Sequence, residues 1–197
     1  MNIQRPARTK SRTAPASTEP SIASQRFASA AEGLAAADAA LTQQGIDAAL
    51  AIVAALREQF PDDPEPLFVG ARFCKEAGQL AHADDLLTEG RQCFPGNIGF
   101  HIGGAWLAHE RRDFDAAVER WAKMRAAFPD SPAGYHGGAV SLRDAGRVDD
   151  AEALARTATE RFPDDSSVAD EYARAAFARR EFAEAARRWR RVMQRFP

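Results

Sequence analysis

The side chains of this 197-residue chain best suited to metal binding or nucleophilic chemistry are four histidines, His82, His101, His109 and His136, and two cysteines, Cys74 and Cys93. Their spacing supports little chemistry. The cysteines form no CxxC pair and share no ligand spacing with a histidine, so no metal site is expected. They read as two small buried thiols in a reducing compartment. His109 and His136 could approach each other across neighbouring helices, but no Ser/His/Asp or Cys/His arrangement stands out. Gly103-Gly104 and Gly137-Gly138 lack the strand–turn–helix context of a phosphate loop. The expectation is a protein with no enzyme activity and no cofactor. Recognition is the chemistry that remains. Arg179, Arg180, Arg187, Arg188, Arg190, Arg191 and Arg195 crowd one end of the chain. Such a run attracts phosphate backbones or an acidic membrane surface. Glu181 and Glu184 lie three or four residues from several of these arginines, so helix-surface pairing absorbs part of the charge. Nucleic acid is therefore not the favoured partner.

A clock in the sequence sets the frame that carries these residues. Phe-Pro occurs at Phe60-Pro61, Phe94-Pro95, Phe128-Pro129, Phe162-Pro163 and Phe196-Pro197, always 34 residues apart. Only a stack of like supersecondary units has reason to keep such a period. Alanine keeps the same time, at Ala37, Ala71, Ala105, Ala139 and Ala173, and again at Ala49, Ala83, Ala117, Ala151 and Ala185. Five units follow, 30–63, 64–97, 98–131, 132–165 and 166–197, within an array spanning 24–197. Each unit divides into two helical stretches of about 14 residues. The break within a unit is marked by Gly45, Gly78 and Gly146, or by Arg112-Asp113 and Arg180-Glu181. Proline ends the second helix, and the Asp, Asn or Ser that follows can cap the next. Alanine suits the points where helices cross at 8–10 Å. Gly103-Gly104 and Gly137-Gly138 fall mid-helix, where glycine costs about 1 kcal/mol relative to alanine. Close helix contact is the ordinary offset; close approach by a ligand is the sharper alternative. A weaker period of 68 residues also runs through the chain. Units 98–131 and 166–197 share Arg-Arg-Asp/Glu-Phe and a tryptophan, Trp121 or Trp189, while the units preceding each lack both.

Composition agrees with a folded helical array. Hydrophobic residues make up 45% and charged residues 27%, and alanine dominates the apolar set. The net charge of −2 conceals a basic–acidic–basic chain. Residues 1–23 are rich in Arg, Ser, Thr and Pro and read as a disordered basic leader, a composition that overlaps with organelle transit peptides. No apolar run approaches the ~20 residues of a transmembrane helix. The expected location is cytoplasmic, and the Ala- and Arg-rich, Lys-poor composition has a bacterial look.

The joint periodicity resembles the tetratricopeptide repeat (TPR) family, whose helix–turn–helix unit has a small residue in its first helix, an alanine in its second and a proline near its end. The resemblance implies an all-α, right-handed superhelical α-solenoid of five helix pairs, with the first helices lining a concave face. It implies a non-enzymatic protein-interaction scaffold binding an extended peptide. The inward stripe would hold Phe68, Arg72 and Lys75; Ile102, Trp106 and His109; His136, Val140 and Arg143; and Asp170, Arg174 and Phe177. Cations mixed with aromatics suit a peptide bearing acids and apolar anchors, tempered by an acidic row at Glu76, Glu110 and Asp144. Only Asn2 and Asn97 are asparagines, so neither a Lys/Asn/Arg carboxylate clamp nor an asparagine ladder is expected.

The chain stops on its period at Pro197, where an internal repeat would expose an apolar face. Phe182, Ala185, Trp189 and Val192 are expected to lack a cover and to form an interface with a second copy or a downstream domain. The array also looks similar to bacterial repeat regions associated with glycosyl- or other group-transferring enzymes. On that alternative it recruits substrate or partner for a catalytic domain outside this chain.

Overall fold

The computed structural model describes residues 26–197; the leader expected over 1–23 falls outside the described residues. Those residues form ten helices and no strand: α1 (Ala30–Gln43), α2 (Ile46–Gln59), α3 (Glu65–Glu76), α4 (Leu80–Cys93), α5 (Ile98–Glu110), α6 (Phe114–Ala127), α7 (Ala133–Asp144), α8 (Val148–Arg161), α9 (Ser166–Ala178) and α10 (Phe182–Arg195). Successive helices pack as antiparallel hairpins, and each hairpin stacks on the next, giving an α-solenoid.

Local chemistry explains each joint. The phenylalanines of the first four Phe-Pro pairs leave the helix with φ of −125° to −130° and ψ of 63–67°, and their carbonyls close a turn. Phe60, Phe94, Phe128 and Phe162 accept from the N–H of Asp63, Asn97, Ser131 and Asp165 at 2.9–3.1 Å. Proline at the second position pre-sets this turn. Asn97 and Asp165 then cap the next helix, as where Asp165 Oδ1 accepts from the Val168 N–H at 2.9 Å, while Asp63 and Ser131, one residue ahead of an N-cap proline, accept from the N–H of Glu65 and Ala133. Within each of the last four hairpins a left-handed residue ends the first helix: Gly78, Arg112, Gly146 and Arg180, with φ of 74°, 60°, 79° and 65°. The following N–H reaches back to close the helix end, for example Gln79 to the Cys74 carbonyl at 2.7 Å.

The periodic alanines lie in the core. Ala185, expected to lack a cover, is fully buried within the last hairpin. The mid-helix glycines answer to close packing between repeats. A Cβ on Gly137 would enter the Trp121 ring, and one on Gly104 or Gly138 would strike the guanidinium of Arg91 or Arg125. Those two arginines fold over the start of the next hairpin and donate to the carbonyls of Phe100 and Gly134, at 3.2 and 3.0 Å. Burial draws both guanidinium groups below the usual arginine value.

First helices touch their counterparts in the next hairpin along α1–α3, α5–α7 and α7–α9, while second helices make no comparable contact. This places the first helices on the inside of the curve. The exception is α3 and α5, which do not close on each other as the other first helices do.

Candidate functional site

The gap between α3 and α5 is a cleft of about 290 Å³, lined by Phe68, Arg72 and Lys75 from α3, Gly103, Trp106 and Glu110 from α5, and Leu87 of α4. One wedge accounts for it. The Phe68 ring stacks face to face on the buried Phe100 ring, centroids 3.7 Å apart and 3° from parallel. The pair fills the space near Gly99, where a Cβ would meet the tip of Phe68. Phe68 therefore shapes the cleft and also joins two hairpins.

The polar side chains of the inner face form a ladder between repeats. Arg72 bonds Asp38 at 3.0 Å and Glu76 at 3.4 Å, and Lys75 meets Glu110 at 2.6 Å. The acidic row thus neutralises the basic one, so the cleft is charge-balanced. These pairs are exposed, and such pairs are worth about 0–1 kcal/mol, so an incoming charge can exchange with them.

Trp106 supplies the aromatic wall. Its ring stands edge-on to Trp121 at 5.2 Å and to His109 at 5.4 Å, and His136 lies 6.4 Å away. His109 joins a relay that spacing alone had not revealed. The Trp121 indole N–H donates to Ser141 Oγ at 3.2 Å, Ser141 Oγ lies 3.0 Å from His109 Nδ1, and His109 Nε2 lies 3.3 Å from Asp144 Oδ2. A Ser/His/Asp triplet therefore does exist, contrary to the sequence reading. It ties α5, α6 and α7 together. Ser141 is fully buried and its oxygen already accepts from Trp121, so it offers no nucleophile to a substrate. The hint in the sequence is a lone serine on α7, the first helix of the next hairpin after His109, one turn from Asp144.

The remaining expected groove residues are engaged elsewhere. Arg143 reaches the buried Glu171 of the next hairpin at 2.8 Å, and Arg174 pairs with Asp170 at 2.6 Å. Phe177, 53% exposed, packs on Phe182, 58% exposed, and near Trp189. The Trp189 indole donates to Asp170 at 2.9 Å. Val192 lines instead a cleft beside Phe162 and Phe196.

Cys74 is buried, which pushes its thiol up, whereas Cys93 is exposed. The reading of two buried thiols fails because Cys93 ends α4 beside the Phe94 turn, outside the apolar stripe. Among the described residues, no cluster of three or more His, Cys, Asp or Glu side chains is placed to hold a metal ion. None of their helices is long and apolar enough to cross a membrane.

No protein-family model matches the chain, and no curated protein matches it. Solved structures resemble it in shape. MamA from Desulfovibrio magneticus RS-1 superposes with a TM-score of 0.64 at 14% identity, over 84% of this chain and 94% of that one. TTC0263, a TPR protein of Thermus thermophilus, gives 0.61 at 17% identity, over 86% and 92%. YrrB, described as a TPR protein with an unusual peptide-binding site, gives 0.58 at 11% identity, over 86% and 87%. The fold of this chain is thus a TPR-type solenoid.

Proposed function

We propose that this chain is a non-enzymatic protein-interaction scaffold that holds an extended peptide segment along the inner faces of its first helices, anchored in the α3–α5 cleft. The observation that carries the reading is the cleft itself, opened by the Phe68–Phe100 wedge and walled by Trp106. An apolar peptide side chain would lie against Trp106 and Leu87. A neighbouring carboxylate would replace Glu110 on Lys75 or Asp38 on Arg72. Both exchanges trade weak exposed pairs for equivalent ones, so burial of the apolar anchor supplies the affinity. A peptide-binding site in YrrB, a protein of the same fold, is consistent with this use.

The test is selection of phage-displayed random peptides on the full chain, followed by titration of synthetic copies against Trp106→Ala. Enriched peptides should share an apolar anchor beside an acid and bind Trp106→Ala at least about tenfold more weakly. Failure to enrich any sequence, or equal binding to the variant, would contradict the proposal.

A further inference from the structure

One position of the first helix lies 27 residues before the phenylalanine of each Phe-Pro pair, and it is occupied by Gly33, Leu67, His101, Tyr135 and Ala169. In two hairpins a ring at this position packs against that phenylalanine. His101 stands edge-on to Phe128 at 5.0 Å, and Tyr135 to Phe162 at 5.3 Å. The guanidinium groups of Arg125 and Arg161 also flank Tyr135, at 5.7 and 5.9 Å from its centroid.

One period later Ala169 replaces Tyr135, Thr159 replaces Arg125, and Arg195 and Phe196 repeat Arg161 and Phe162. The alanine methyl leaves the place of the ring empty. A cleft of about 260 Å³ remains between Phe162 and Phe196, with Ala169 and Thr159 in its walls. The corresponding cleft at Leu67, about 340 Å³, is open with further repeats stacked beyond it. An open cleft beside a Phe-Pro pair thus does not require the end of the stack.

The two clefts differ in charge. At Leu67, Arg57 is paired with Glu89, and Glu58 and Asp63 also line the wall. At Ala169 the lining holds Arg188, Arg191 and Arg195 and no carboxylate. Arg188 is committed to Glu152 and Glu184. Arg195 has one ion pair, 2.6 Å from an Asp164 side chain that is 90% exposed and easily displaced. Arg191 makes no ion pair among the described residues.

We propose that the Ala169 cleft is a second docking site, which takes one aromatic side chain of a partner polypeptide flanked by carboxylates. The ring occupies the place that Tyr135 fills internally one repeat earlier, against Phe196 and beside the Arg195 guanidinium. The flanking carboxylates meet Arg191 and Arg195. The cleft falls below the ~300–1,000 Å³ of sites that enclose a whole drug-sized ligand, which suits a single side chain. This site lies outside the α3–α5 cleft and does not depend on it.

The test uses three fluorescein-labelled peptides on the full chain, read by anisotropy: Asp-Glu-Tyr-Asp-Glu, the same peptide with Ala for Tyr, and Lys-Lys-Tyr-Lys-Lys. The acidic tyrosine peptide should bind most tightly. Ala169→Tyr, which fills the cleft from within, and Arg191→Glu should each weaken it at least about tenfold. Arg191 is exposed and unpaired, so its variant carries the test even if Ala169→Tyr perturbs folding. Equal binding of the tyrosine and alanine peptides would show a simple anion patch and overturn the proposal. Unchanged affinity in a folded Ala169→Tyr, or no binding of the acidic tyrosine peptide, would also overturn it.

Discussion

Arg188 grips Glu152 through two hydrogen bonds of 2.7 and 2.9 Å, across 36 residues of chain, with both side chains about nine-tenths buried. Arg120 grips Asp84 in the same way at 2.6 and 2.7 Å, again 36 residues away. Each arginine also donates to a first-helix carbonyl, Tyr172 or Gly104, at 2.7 Å. The two assemblies stand 68 residues apart, so the longer period in the sequence has a structural counterpart in ion pairs that staple adjacent hairpins at every second junction.

Removing Glu152 takes two hydrogen bonds from the buried Arg188 guanidinium and leaves it only the partly exposed Glu184 as a carboxylate partner. Glu152→Ala should lower stability by about 3 kcal/mol, while Arg188→Met combined with Glu152→Leu should recover most of that loss. Urea unfolding followed by circular dichroism measures both. Equal losses in the single and double variants would show that packing, not charge pairing, dominates there.

The Asp84–Arg120 pair makes a pH prediction. Burial alone would raise the Asp84 carboxyl, but the Arg120 hydrogen bond and the charges of Arg120, Arg91 and Arg111 outweigh it and hold the carboxyl below the usual range. A depressed carboxyl contributes stability that is fully present above its unfolded value, about 3.9, and is lost as pH falls through the lower folded value. Stability should therefore be flat near neutrality with respect to this group and fall below about pH 4. Asp84→Asn should be less stable at pH 7 and should lose less on acidification. Parallel pH profiles for the two proteins would refute this.

Two glycines one repeat apart, on α5 and α7, should respond differently to alanine. At Gly137 the new methyl enters the rigid, fully buried Trp121 ring, so Gly137→Ala should cost about 1–3 kcal/mol despite better helix propensity. At Gly103 the nearest atom is the flexible end of Leu87, 3.1 Å away, so Gly103→Ala should be neutral or mildly stabilising. Thermal midpoints of the two variants check the contrast.

Arg180 holds φ of 65° where two other hairpins place glycine. A non-glycine residue in this region carries a penalty of about 1–2 kcal/mol. Arg180→Gly should raise stability by up to about 1 kcal/mol, because glycine's greater unfolded freedom offsets part of the relief. A lower thermal midpoint would contradict this account of the turn.

The repeat frame was legible because proline, alanine and left-handed positions answer local demands that recur identically. The Phe-Pro turn needs only four adjacent residues, and a crossing alanine only the absence of bulk. The charged side chains were less legible. Arg72 and Lys75 sit on the expected face, yet their pairing with Asp38 and Glu110 depends on which way long side chains lean between repeats. The same holds for Ser141, His109 and Asp144, and for Arg143, which turns to Glu171. The glycine pairs were legible as close contacts, but their partners, Trp121 and Arg91, lie one hairpin back and needed the stacked structure.

The most direct test of the scaffold reading is residue-resolved chemical-shift mapping of the isotope-labelled chain with its best phage-selected peptide. Perturbations should concentrate at Phe68, Arg72, Lys75, Trp106 and Glu110, including the Trp106 indole N–H. Perturbations confined to the Phe-Pro edge, or scattered without a focus between α3 and α5, would contradict it.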